Sequence, residues 1–179
     1  MTKPLVGIIV GSASDLAVAE KAAAVLREFE VAFEVGVASA HRTPEDVINY
    51  ASSAADRGIK VLVAMAGLSA ALPGVIAAHT TLPVIGVPIA SGPLSGSDAL
   101  LAVAQMPPGV PVASMGIDGA KNAALMALRI LSTRDDDLTW KLASWAQKAA
   151  DEVRASRAKV AEKDMTGVPA HVFQPEIED

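Results

Sequence analysis

From Val61 through Ser97 the chain carries no Asp, Glu, Lys or Arg. A stretch this apolar has to be hidden, in a bilayer or in a protein interior. Gly67, Pro73, Gly74, Pro83, Gly86, Pro88, Gly92 and Pro93 interrupt it too often for a membrane-spanning helix, whose backbone must satisfy its own hydrogen bonds. Two buried strands with a short helix between them fit better, because parallel strands covered on both faces read as unbroken apolar runs. No membrane partner is expected.

What fills such an interior is constrained by composition: 51% of residues are hydrophobic but only 3% are aromatic. Ala, Val, Leu and Ile must do the packing, which suits closely spaced helix and sheet layers. A length of 179 residues suits one core. We expect a single domain over residues 1–163, including a C-terminal helix, and a flexible tail over 164–179, where Gly167, Pro169 and Pro175 fall.

Strands and helices alternate along the chain. Leu5 to Val10 reads as a buried strand, Gly11 to Asp15 as a turn and Leu16 to Glu30 as a helix. Val31 to Val37 is a second strand, followed by a polar loop at Ser39 to Thr43 and a helix that Pro44 opens and Gly58 stops. Lys60 to Met65 is the third strand, Ala70 to His79 a short helix and Pro83 to Val87 the fourth strand. After a Gly-, Ser- and Pro-rich loop come helix Ser97 to Gln105, strand Val110 to Ser114 and helix Asp118 to Leu131. This order predicts an α/β, doubly wound parallel sheet with right-handed crossovers. Beyond Arg134, Leu138, Leu142, Trp145, Ala149, Val153 and Val160 mark one side of a long helix, packing on its own domain or against another subunit.

The formal charge is −5, and no basic run interleaves with aromatics, which argues against nucleic acid as a partner. The absence of Cys removes disulfides, zinc-thiolate sites and thiol catalysis. The apolar stretch after Met1 ends at Gly11, too soon for a signal peptide, so a cytoplasmic location is expected.

Ligands of open α/β sheets bind outside the carboxyl ends of the strands. Four loops should meet there: Gly11 to Asp15, Ser39 to Thr43, Ala66 to Leu72 and Ala90 to Gly96. Gly11 permits close backbone approach, and Ser12 and Ser14 offer donors at a helix start, where an anion is favoured. The competing role for Ser14 or Asp15 is capping the helix. Asp15 can accept both hydroxyls of a ribose. Arg42 can grip phosphate with two parallel hydrogen bonds, or pair with Glu45 or Asp46 at the surface. His41 can exchange a proton near neutral pH, although a lone loop histidine is more often structural or solvated. His79 and His171 have no second ligand at metal spacing, so no metal site is expected.

Taken together, Gly11-Ser12-Ala13-Ser14-Asp15, Ser39-Ala40-His41-Arg42-Thr43-Pro44, Ala66-Gly67-Leu68-Ser69-Ala70-Ala71-Leu72-Pro73-Gly74, Gln105-Met106-Pro107-Pro108-Gly109-Val110-Pro111-Val112 and Ala120-Lys121-Asn122-Ala123-Ala124-Leu125 resemble the PurE family. The resemblance implies a three-layer flavodoxin-like subunit in a homo-octamer. The activity it implies is that of an N5-carboxyaminoimidazole ribonucleotide mutase, working in purine biosynthesis without ATP, biotin or metal. It further implies His41 as the catalytic general acid and base. Ser12, Asp15 and Arg42 match substrate-binding positions, Ser14 and Ser39 phosphate contacts. Gly67 and Leu68 complete the substrate-binding set within a low-charge wall, Ala66 to Leu72, suited to excluding water and holding CO2.

The family's mutases usually show Gly-Gly-Ala-Ala-His-Leu-Pro-Gly where this chain has Gly67-Leu68-Ser69-Ala70-Ala71-Leu72-Pro73-Gly74, so Ala71 replaces a second histidine. Ser69 and Ala71 lean toward the family's other branch, which carboxylates aminoimidazole ribonucleotide directly with CO2. Arg42, Pro73 and the run Leu82 to Pro88 lean toward the mutase. A third reading is a nucleotide-binding module without catalysis, although the loops lack the acidic cluster of a receiver and the aromatics of a flavin site.

Overall fold

A computed structural model describes residues 3–157. Five parallel strands, β1 (Val6–Val10), β2 (Phe33–Val37), β3 (Val61–Ala66), β4 (Val84–Pro88) and β5 (Ala113–Ser114), form one sheet in the order β2-β1-β3-β4-β5. This is the flavodoxin-like strand order, and its direction of winding reverses between β1 and β3.

β1, β3 and β4 are buried throughout, as unbroken apolar runs require when both faces of a parallel sheet are covered. On one face, Ile9, Leu62, Ala64 and Val84 join a core cluster with Val47, Ala51 and Ala54 of α2 (Pro44–Arg57). Leu72 and Ile76 of α3 (Leu72–Ala78) and Ala99 and Val103 of α4 (Ser97–Ala104) belong to the same cluster. On the other face α5 (Ala120–Ser132) lies against β3 and β4 and packs beside α1 (Leu16–Glu28). Most buried positions of these two helices are alanine, which lets the layers approach closely: Ala19, Ala22 and Ala23 in α1, beside Val25 and Leu26, and Ala120, Ala123, Ala124 and Ala127 in α5, beside Leu128. Gly86 serves the same end within the sheet, where a Cβ would run into Val103 and Val112.

The ends of α2 follow local chemistry. Pro44 fits the first turn, Glu45 and Asp46 suit its positive end, and Gly58 closes it at φ 103, in the left-handed region.

Several expected boundaries move by one or two residues, among them the second strand, which starts at Phe33 rather than Val31, and the helix read from Asp118, which starts at Ala120; two shifts have a clear local cause. The strand read over Val110 to Ser114 narrows to Ala113–Ser114: Pro111 removes a backbone donor within it, and Gly109 turns the chain just before it at φ 95. The helix read from Ala70 starts at Leu72, since the Ala70 amide donates instead to the Gly67 carbonyl in a tight turn at 3.1 Å.

A 21-residue helix, α6 (Asp136–Ser156), follows. Asp135 caps it by accepting from the Leu138 amide at 3.0 Å. The chain divides at Thr139 into two units. In the second, residues 140–157 are helical almost throughout, and Arg154 pairs with Asp151 at 2.6 Å. Val160 and the tail read over 164–179 lie outside the described residues. No helix among the described residues is long and apolar enough to cross a membrane.

Candidate active site

At the carboxyl edge of the sheet the ladder continues into the loops. The Ala38 amide donates to the Val10 carbonyl at 3.0 Å, Gly11 to Met65 at 3.1 Å and Ile89 to Ala66 at 2.9 Å. The loops after β2, β1, β3 and β4 are thus laced side by side, and they enclose a cavity of about 520 Å³ straddling the β1/β3 reversal.

All eight residues singled out from sequence line it: Ser12, Ser14, Asp15, Ser39, His41, Arg42, Gly67 and Leu68. The loop after β1 is a 3-10 turn, Ala13–Asp15, in which the Ser12 Oγ accepts from the Ser14 amide at 3.4 Å. Asp15 occupies the N-cap position of α1 without a side-chain cap bond, and its Oδ1 accepts from the Ser14 hydroxyl at 3.1 Å. The Ser12 hydroxyl thus caps the 3-10 turn, neither Ser14 nor Asp15 caps α1 through its side chain, and the Asp15 carboxylate stands at the cavity.

The loop after β2 is closed on itself. The Thr43 amide donates to the Ser39 carbonyl at 2.8 Å, and the Thr43 Oγ1 accepts from the Ser39 amide at 3.0 Å. His41 sits within this closed loop, exposed, its imidazole making no hydrogen bond among the described residues. Arg42 does not turn outward to Glu45 or Asp46. Its Nε donates to the Ser39 Oγ at 3.4 Å and an Nη to the Gly11 carbonyl at 3.3 Å, which holds the guanidinium across the gap between the β2 and β1 loops. These bonds are long, so an anionic ligand could replace them with shorter charge-assisted ones.

The remaining wall comes from the loop after β3, Ala66 to Leu72. Leu68 takes a left-handed φ of 51°, a conformation costly for a branched side chain, and the residue is 53% exposed. Gly67 meets Ser91 so closely that a Cβ there would collide with the Ser91 hydroxyl. Ser91, from the loop after β4, completes the lining and was not singled out from sequence. A serine before Gly92-Pro93 at a strand end is the signal that points to it.

His79 lies outside the cavity, its Nδ1 2.8 Å from the Val75 carbonyl. No group of three His, Cys, Asp or Glu residues among those described is placed to hold a metal ion.

A family model for AIR carboxylase matches residues 5–152. The chain belongs to the AIR carboxylase family, the PurE family that its motifs resemble. An N5-carboxyaminoimidazole ribonucleotide mutase of Pyrococcus abyssi is 58% identical over 144 residues, covering 80% of this chain and 83% of that protein. A phosphoribosylaminoimidazole carboxylase of Saccharomyces cerevisiae is 51% identical over 160 residues, which are 89% of this chain but 28% of the yeast protein. The crystal structure of Treponema denticola PurE superposes with a TM-score of 0.79 at 32% identity, covering 88% of this chain and 98% of that one. In this AIR carboxylase family member the cavity holds one ionisable acid, Asp15, one guanidinium, Arg42, and one imidazole, His41, in otherwise uncharged walls.

Proposed function

We propose that this chain is an N5-carboxyaminoimidazole ribonucleotide mutase of purine biosynthesis. The observation that carries the proposal is the meeting of His41 and Arg42 with Ser12, Ser14 and Asp15 in one cavity, in a chain 58% identical over 144 residues to a protein of that name.

In this reading Arg42, Ser12, Ser14 and Ser39 hold the phosphate, and Asp15 accepts from the ribose hydroxyls. The imidazole of the ribotide then extends toward the loops after β3 and β4. Protonated His41 gives its proton to the carbamate nitrogen as the N–C bond breaks. Its electron pair stays on nitrogen, CO2 leaves, and a free amine remains. C4 of the electron-rich ring attacks the trapped CO2, and neutral His41 takes the C4 proton as aromaticity returns. No net proton is consumed, so one imidazole, without a hydrogen-bond partner among the described residues, serves both transfers. The uncharged wall keeps water from competing for CO2, and confinement replaces a second encounter. The enzyme acts in the cytoplasm as a homo-octamer, as the family resemblance implies, and sedimentation analysis tests the assembly.

The test supplies the purified chain with N5-carboxyaminoimidazole ribonucleotide, or with aminoimidazole ribonucleotide plus bicarbonate and CO2, without ATP. Preference for the first identifies the mutase. Efficient use of the second alone identifies the direct carboxylase, the second reading, which Ala71 and the yeast relative favour.

A further inference from the structure

The Ser91 hydroxyl is buried and has no hydrogen-bond partner among the described residues. Such a group costs stability unless something later satisfies it, so it asks for an explanation. It lies against Gly67, where any side chain would collide with it, and Ser91 is part of the cavity wall. The backbone leading into Ser91 is fixed. The Ile89 amide donates to the Ala66 carbonyl at 2.9 Å, and the Ala90 amide to Asp118 Oδ1 at 3.1 Å. Asp118 is itself tied back, its amide donating to the Pro88 carbonyl at 2.9 Å. Ser91 is therefore presented by a clamped strand end rather than by a loose loop, and its remaining freedom is rotation about χ1, which moves the oxygen off Gly67.

We propose that the Ser91 hydroxyl is a substrate-binding group that turns into the cavity and donates to the carboxylate carried by the imidazole ring. The assignment rests on the mutase reading above. With the phosphate held between the β1 and β2 loops, the end of the ligand nearest β4 is the ring and its carboxyl group. A carboxylate accepts hydrogen bonds strongly, and among the described residues lining this cavity Ser91 is the one whose hydroxyl is buried without a partner. The bond exists in the carboxylated states and is lost when the ring carries no carboxyl group, so Ser91 discriminates between them.

Calorimetry on the full chain, wild type and Ser91→Ala, tests this with 4-carboxyaminoimidazole ribonucleotide and uncarboxylated aminoimidazole ribonucleotide. Ser91→Ala should weaken the carboxylated ligand about tenfold, the size of one hydrogen bond, and leave the uncarboxylated ligand unchanged. The ligand-free melting temperature should not fall, because no bond is lost in that state. Equal weakening of both ligands, a lowered melting temperature, or no change in either affinity overturns the assignment. If wild type binds neither ribotide, the mutase reading itself falls and Ser91 with it; if wild type binds both and Ser91→Ala matches it, Ser91 alone is wrong.

Discussion

His41 and Arg42 are neighbours in sequence with different tasks, and the loop that carries them separates those tasks. Thr43 and Ser39 close the loop, Arg42 folds back over Gly11, and His41 keeps an imidazole with no hydrogen-bond partner among the described residues. His41→Asn keeps the size and polarity but cannot shuttle a proton near neutral pH. It should retain ribotide affinity and lose turnover by at least about a hundredfold, the scale of a general acid and base. Near-normal kcat in steady-state assays would remove His41 from the mechanism. Arg42→Ala should weaken ribotide binding by about ten- to a hundredfold, as expected for charge-assisted hydrogen bonds. The melting temperature should change little, because both Arg42 bonds are long and exposed. Unchanged affinity in calorimetry would refute the phosphate role. At this scale the polar residues of the first two loops were legible because Ser, Asp, His and Arg carry their chemistry openly. Ser91 was not, since its meaning depends on a close contact with Gly67, more than twenty positions away in the chain.

Helices and strands were legible where local chemistry acts alone. Buried strands announced themselves as apolar runs, and Pro44 and Gly58 bracket α2 as their backbone preferences dictate. Boundaries shifted where prolines suppress pairing, at β5, and where a turn displaces a helix start, at α3. What sequence spacing does not disclose is how elements are cross-tied. α2 reaches β2 through Arg57, which pairs with Glu34 at 2.9 Å and stacks on the Tyr50 ring at 4.5 Å. Burial pushes the Tyr50 phenol well above its usual value of 10.0; the nearby Glu34 carboxylate adds to this and Arg57 opposes it. Below about pH 10 the phenol is protonated in folded and unfolded chains alike. Above that the unfolded chain ionises first and binds fewer protons than the folded one, so stability falls as pH rises, by at most about 1.4 kcal/mol per pH unit from this group. Tyr50→Phe should flatten that portion of the urea-measured stability profile between about pH 10 and 11. Parallel profiles for the two proteins would show that Tyr50 does not ionise in that window on unfolding. As the chain has one tyrosine, tyrosinate absorbance reports it directly.

For residues 3–139 the poverty in aromatics has a consequence that local reading only hints at. Layers built from Ala and β-branched side chains bring α1, α5 and the sheet close, and this compact stack sets the four loop ends side by side at the β1/β3 reversal. The cavity depends on that spacing, because the turns after β1, β2, β3 and β4 that carry its lining residues are placed by the stack beneath them. A change deep in the stack should therefore be felt both in stability and at the site. Ala124 is fully buried on the inner side of α5. Ala124→Leu adds three carbons at a fully buried site, and overpacking of this kind costs about 1–3 kcal/mol. The urea midpoint should fall while the slope of the transition stays the same, since the surface exposed on unfolding is nearly unchanged. Ribotide affinity should fall with it, because α5 lies against β3, whose end carries Gly67 and Leu68. An unchanged midpoint would mean that the alanine layer has slack. A lowered midpoint with unchanged affinity would mean that the loop ends are held by their own interlacing hydrogen bonds rather than by the layer spacing beneath them.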